Sequence, residues 1–105
     1  MQNKFLSALG LARRAGKAVC GTDAVKDSVR KKRALLIVLA CDVSQNTKKQ
    51  INDTASYYGT QLLEVPYTMS ELSDALGKLY SVACVAITDI GLKTLVINSL
   101  KHQEV

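Results

Sequence analysis

Apolar residues recur along this chain in two patterns that take turns. One is helical spacing over ten or more residues, and the other is a short unbroken run. Phe5, Leu6, Leu9 and Ala12 share one face of a helix over residues 3–14. Arg13 and Arg14 suit its last turn, and Gly16 suits the left-handed closing position. Ala18-Val19-Cys20 reads as a short strand. Gly21-Thr22 then turns into a second helix, about 22–32, with Thr22 as N-cap and Asp23 in the first turn. Val25 and Val29 form its buried face. Lys26, Arg30 and Arg33 form a separate stripe, and Asp27 with Lys31 makes an i,i+4 pair of the favourable sense.

The run Leu35 to Ala40 is apolar without alternation, which predicts a central strand covered on both faces. Asp42 and Ser44 follow its carboxyl end, and Ser44 suits the N-cap of a helix over 44–58. Ile51, Ala55 and Tyr58 point inward, Gly59 closes the helix, and Lys48 and Lys49 face water. Residues 62–65 form a shorter strand that Pro66 ends, as suits an edge or a terminus. Thr68 or Ser70 caps a short helix with Leu72, Ala75, Leu76 and Leu79 inward. Val82 to Thr88 is the last strand. Asp89 caps a final helix with Leu92, Leu95, Val96 and Leu100 inward, and His102 lies exposed near the chain end. This alternation predicts one α/β domain over residues 1–105, a three-layer α/β/α sandwich with a mixed sheet of about four strands.

Bulk composition narrows the class. A hydrophobic content of 48% argues against disorder. At 105 residues the chain can bury a core without disulfides or metal. No apolar run approaches a membrane span, and the start lacks the apolar region of a signal peptide. Cys20, Cys41 and Cys84 are odd in number and widely spaced. They read as reduced, buried thiols of a cytoplasmic protein. The chain has no tryptophan and one phenylalanine, which counts against a sheet that stacks bases on aromatic rings.

Charge changes the picture more. Residues 13–33 hold eight of the fourteen Lys and Arg residues, opposed only by Asp23 and Asp27, so this segment carries +6 and the rest of the chain −1. A local patch of this sign fits a polyanion, and nucleic acid is the commonest one. A helix start behind a glycine is also a natural seat for phosphate. The bland alternative is a solvated cationic face of an amphipathic helix.

Catalytic constellations do not assemble. There is no glycine-rich dinucleotide motif, no phosphate loop and no cluster with metal-ligand spacing. A single histidine near the chain end leaves no general base for a serine or cysteine. Helix capping accounts for Asp42 and Asp89. We therefore expect no enzyme, no cofactor and no metal.

One unit remains: Arg13-Arg14-Ala15-Gly16-Lys17, Gly21-Thr22-Asp23 and the run Arg30 to Arg33. With it stand Ala34 through Asp42, Ser44 through Lys49, Tyr58-Gly59, Val65-Pro66-Tyr67 and Ile87-Thr88-Asp89-Ile90-Gly91-Leu92. In order and spacing these resemble the ribosomal-protein superfamily that binds RNA kink-turns, in its bacterial YlxQ-like branch, over nearly the whole chain. The resemblance implies that the Gly21 turn and the next helix enter the widened major groove at an RNA kink and read tandem sheared G·A pairs. It also implies that a loop before the last strand, about Leu79 to Ala83, supports a flipped-out nucleotide. The implied RNA site comprises Lys17, Gly21, Thr22, Asp23, Lys26, Arg30 and Lys31, with Tyr80, Ser81 and Val82 from the loop. A distorted groove is what side chains need, because an ordinary A-form major groove is too narrow for them.

The chain departs from the family pattern at four places, one of them in the later helix, where Leu72-Ser73 stands for the family's Leu-Gly. Asp23 stands where the family has Asn, Ala24 where Glu is usual, and Asp27 where a Lys is expected. Two functions follow as expectations. The first is a reader of kink-turn-like RNA, ribosomal or ribosome-associated, cytoplasmic and monomeric. The second is a protein–protein or assembly module of the same fold that has lost specific kink-turn recognition.

Overall fold

The computed structural model describes residues 4–103, with side chains described from residue 4 to residue 100. Five helices alternate with four strands: α1 Lys4–Arg14, β1 Ala18–Cys20, α2 Thr22–Arg30, β2 Leu36–Leu39, α3 Gln45–Tyr58, β3 Gln61–Glu64, α4 Met69–Ala75, β4 Cys84–Ile87 and α5 Ile90–Gln103. The strands form one sheet in the order β1-β4-β2-β3. β4 runs antiparallel to both β1 and β2, and β2 runs parallel to β3. The sheet is mixed, as expected, and the two unbroken apolar runs are its two central strands.

Each central strand feeds two cores by simple alternation. Leu36, Val38 and Ala40 of the β2 segment join Val85 and Ile87 on one face, against Phe5, Leu9 and Ala12 of α1, Leu72 of α4 and Val96 of α5. Ile37, Leu39, Cys84 and Ala86 point the other way, against Val25 and Val29 of α2 and Ile51 and Ala55 of α3. Two faces covered by helices give the α/β/α sandwich. Burying both faces requires the continuous apolar runs, at about 25 cal/mol per Å² of apolar area removed from water.

Several local expectations need correction. Gly21, not Thr22, is the N-cap of α2, and the helix ends at Arg30 with Lys31 as its C-cap. Ser44 caps α3 as expected, accepting from the Thr47 amide, and Gly59 closes it at φ 69°. Asp42 serves a helix start, as expected of a capping residue, but that of a distant helix. Its Oδ1 accepts from the Met69 amide at 2.8 Å, so it holds the start of α4 from 27 residues away. Thr68 and Glu71 complete that start as a reciprocal capping box. Asp89 caps α5, its Oδ2 accepting from the Leu92 amide.

Tyr58, Leu79 and Leu95 are exposed rather than inward. Tyr58 lies at the end of α3 edge-on to Tyr57, and Leu79 lies beyond the end of α4. Lys49 faces water, whereas Lys48 is tied to Glu64 at 2.9 Å. All three cysteines are free thiols, but Cys41 is exposed and Cys20 only half-buried. The expectations for His102 and for the first residues of the chain fall outside the described side chains. Among the described residues no helix is long and apolar enough to cross a membrane, and no group of His, Cys, Asp and Glu could hold a metal.

Candidate nucleic-acid interface

β1 ends and α2 begins at Gly21, with φ 98° and ψ 150°. A side chain there would be strained, although nothing lies within 4 Å of where its Cβ would stand. The Gly21 amide donates to the Cys84 carbonyl at 3.1 Å, and its carbonyl accepts the first helical bond, from Val25 at 2.9 Å. Gly21 offers no side-chain cap. The first-turn amides of Thr22, Asp23 and Ala24 therefore have no intrahelical acceptor and sit at the positive end of the helix dipole. That arrangement can take a phosphate oxygen.

Cys84 anchors the turn twice. Its carbonyl holds Gly21, and its thiol hydrogen-bonds with the Thr22 side chain. Burial pushes the Cys84 thiol up to about 11, so it stays protonated at neutral pH. Burial also raises the Cys20 thiol, and the positive charges of Lys78 and Arg13 pull partly against that rise. Those two cations therefore stand at the Gly21 end of the sheet. The Arg13 guanidinium reaches to 4.0 Å from the Cβ position of Gly77.

The segment 77–83 completes this end. Gly77 turns it away from α4 at φ 66°. The buried Ser73 hydroxyl lies within hydrogen-bond reach of the Lys78 and Tyr80 carbonyls and folds the loop back on the helix. Leu79 is wholly exposed, Tyr80 is 57% exposed, and Ser81 is exposed. Val82 is fully buried in the core beneath them. Its side chain anchors the loop and cannot meet a ligand, which corrects the expectation that it belongs to the contact surface.

The implied site does not assemble as one. Gly21, Thr22, Asp23, Tyr80 and Ser81 lie at one end of the sheet, and Lys26 follows a turn later on α2. Its Nζ donates to Gln50 Oε1 of α3 at 3.2 Å. Arg30 is exposed one turn beyond. Lys17 precedes β1, and its carbonyl accepts from the Thr88 amide at 2.9 Å, so it lies at the opposite end of the strand. Lys31 lies at that same opposite end, with its Nζ 3.0 Å from Asp27. The length of α2, nine residues at 1.5 Å rise, or roughly 13 Å, separates it from Gly21. Arg33 leaves the Lys26–Arg30 stripe as well, because it lies in the turn after α2. Counting charge along the sequence merges two ends that the fold keeps apart.

Lys78 was missed. It is an isolated base in an apolar stretch, and only the folded proximity of residues 77–83 to β1 brings it to Gly21. Arg13 was visible in the basic segment, but its reach from α1 toward Gly77 was not.

Comparison with known proteins fits this architecture. Residues 3–97 match the model of the Ribosomal protein L7Ae/L30e/S12e/Gadd45 family. The chain is similar to the RNA-binding protein YlxQ of Bacillus subtilis, 41% identical over 96 residues that cover 88% of this chain and 90% of that one. It is 31% identical over 93 residues to the RNA-binding protein YlxQ of Enterococcus faecium, covering 89% of each. It is 30% identical over 78 residues to the large ribosomal subunit protein eL30 of Methanosarcina mazei, covering 74% of this chain and 72% of that one. Among solved structures, a Bacillus halodurans protein described as of unknown function superposes at a TM-score of 0.87 with 27% identity, over 95% of this chain and 99% of that one. These relatives are named as RNA-binding or ribosomal proteins rather than enzymes where a function is given. With a match over nearly its whole length and relatives aligned over most of both chains, this chain belongs to the Ribosomal protein L7Ae/L30e/S12e/Gadd45 family.

Proposed function

We propose that this chain is an RNA-binding protein that recognises kinked, kink-turn-like RNA at the Gly21 end of its sheet and acts on or near the ribosome. The observation that carries the reading is the start of α2 behind Gly21, with Lys26 a turn along the helix, Arg13 and Lys78 acting on the neighbouring Cys20, and the exposed loop residues Leu79, Tyr80 and Ser81 at the same end of the sheet. Open amides and cations suit phosphate, and Lys or Arg suits guanine O6 and N7. The apolar Leu79 and the Tyr80 ring suit an unstacked base. Relatives named as RNA-binding proteins support the same reading.

Replacing Lys26 and Arg30 together with Ala tests it. Affinity for a kink-turn RNA is expected to fall. The slope of log affinity against log salt is expected to flatten by about 0.7–0.9 for each phosphate contact removed. Unchanged affinity and slope would locate the RNA elsewhere on the protein.

A protein–protein or assembly role is the second reading, and Asp23 favours it. Its carboxylate is exposed in the first turn of α2, where it repels the phosphate that the open amides attract. That reading predicts weak, sequence-blind RNA binding and a defined protein partner.

A further inference from the structure

The opposite end of α2 carries more charge than the Gly21 end, and the function proposed above does not use it. Helix α2 closes in a Schellman motif. The Lys32 amide donates to the Val29 carbonyl at 3.0 Å, and the Arg33 amide donates to the Ser28 carbonyl at 2.9 Å. That motif puts the residue after the C-cap in the left-handed region, where glycine is usual. Here it is Lys32, at φ 60°, the sole non-glycine residue with positive φ among the described residues. A lysine is strained in this conformation, and strain retained at one position is a reason to look for a use.

The surroundings supply one. Lys31, Lys32 and Arg33 line an open groove of about 670 Å³ with Gly16 and Thr88. Ser28 lines it as well, and the buried hydroxyl of that serine has no hydrogen-bond partner among the described residues. Lys32 also lines a neighbouring groove with Lys93 and Tyr58. Lys17 adjoins the first groove, because its carbonyl accepts from the amide of Thr88, which lines it. Among the described residues, Asp27 is the carboxylate that lines these grooves, and Asp89 follows Thr88 in sequence. Asp27 is paired with Lys31, and Asp89 is held by the Leu92 amide. Five cations therefore meet two acids that are already engaged.

We infer that this basic end, built on Lys17, Lys31, Lys32, Arg33 and Lys93, is a second phosphate-binding surface that holds the backbone of a duplex RNA segment distinct from the RNA at the Gly21 turn. Open grooves lined by flexible cations suit a phosphate ladder and provide no enclosed site for a small molecule. The two ends are not one continuous track. Asp23 and Asp27 stand one turn apart on the face of α2 that leads to Lys31. A backbone following that face would pass two carboxylates. The Lys26–Arg30 stripe turns instead toward α3, where Lys26 meets Gln50. A protein with a reader at one end and a phosphate clamp at the other brings two RNA segments together.

The test is capture of a labelled, unrelated RNA duplex of about 16 base pairs, the span one double-strand-binding module covers. It is run on wild-type protein saturated with a minimal kink-turn RNA, and repeated on free protein carrying Lys26→Ala and Lys78→Ala. The second arm keeps the proposal testable even if kink-turn recognition fails. The duplex is expected to be captured in both arms, by the saturated wild type and by the free Lys26→Ala, Lys78→Ala protein. The combined variant Lys31→Ala, Lys32→Ala, Arg33→Ala and Lys93→Ala is expected to lose at least tenfold in duplex affinity, with a salt slope flatter by about 3. Its affinity for the minimal kink-turn should stay within twofold. Lys32→Gly separates the surface from the fold: it should raise Tm by about 4 °C and still weaken capture. Four results would each overturn the inference. They are no capture in either arm, equal loss of both RNAs in the combined variant, a gain seen only on lengthening the kink-turn's own stem, and binding of acidic protein or anionic vesicles without duplex RNA.

Discussion

Gly21 and Asp23 act on the same phosphate seat in opposite directions. Gly21 supplies a backbone at φ 98° that leaves the α2 amides open, and Asp23 sets a carboxylate among them. The carboxylate favours the helix, because an acid in the first turn complements the dipole. It disfavours the ligand, because it can accept but not donate a hydrogen bond and repels phosphate. Asp23→Asn removes the charge and restores a donor. We expect kink-turn affinity to be equal or tighter, by up to about 1 kcal/mol, with a small loss of thermal stability. A large loss of affinity, measured by titration, would mean that the carboxylate accepts directly from guanine N1 and N2. Both residues were legible in the sequence as a turn and a first-turn acid. That Gly21 itself is the cap was not, because Thr22 is the better capping residue by type, and only the bonds to Cys84 draw it into the helix. Val82 misled for a similar reason. A loop residue reads as accessible until the fold sets it against the core.

Elements show the same division between local and distant causes. The apolar runs of β2 and β4, the Ser44 cap and the Gly59 closure are consequences of neighbouring residues, and all were readable. The start of α4 is not local. Thr68 and Glu71 form their capping box, but the Met69 amide is satisfied by Asp42 across 27 residues. From sequence, Asp42 reads as a helix cap, but nothing in a linear reading brings residues 42 and 69 together to say which helix it serves. The consequence reaches the interface, because α4 carries Ser73, which folds the 77–83 loop, and the loop carries Lys78 and Tyr80. Asp42→Ala is therefore expected to cost about 1 kcal/mol in urea unfolding, as for other lost helix caps. Faster amide exchange should be confined to α4 and residues 77–83. Exchange unchanged in that loop would show that α4 does not position it.

Over the whole molecule, the fold sorts one basic segment into two surfaces. In sequence, residues 13–33 form a single +6 block. In space, α2 runs back along β1, so Gly21 and Lys78 lie at one end while Lys17, Lys31, Lys32 and Arg33 lie at the other. The reversal at Gly21 separates the two ends locally, whereas Lys78 joins the first end only through the antiparallel pairing of β1 with β4, a long-range contact that periodicity does not encode. Fold class was therefore readable, the membership of each surface was not, and the resemblance to a family supplied the loop at about 79–83 that composition alone would have left as a turn. The account's central claim is that the Gly21 end recognises a kinked RNA rather than only attracting phosphate. The most direct measurement is titration of a kink-turn RNA against the same RNA with its G·A pairs replaced, at two salt concentrations. The account predicts a loss of several kcal/mol on replacement that persists at higher salt, because base-edge contacts do not depend on counterion release. Equal, salt-sensitive binding to both RNAs would contradict it and leave the cations as a phosphate field alone.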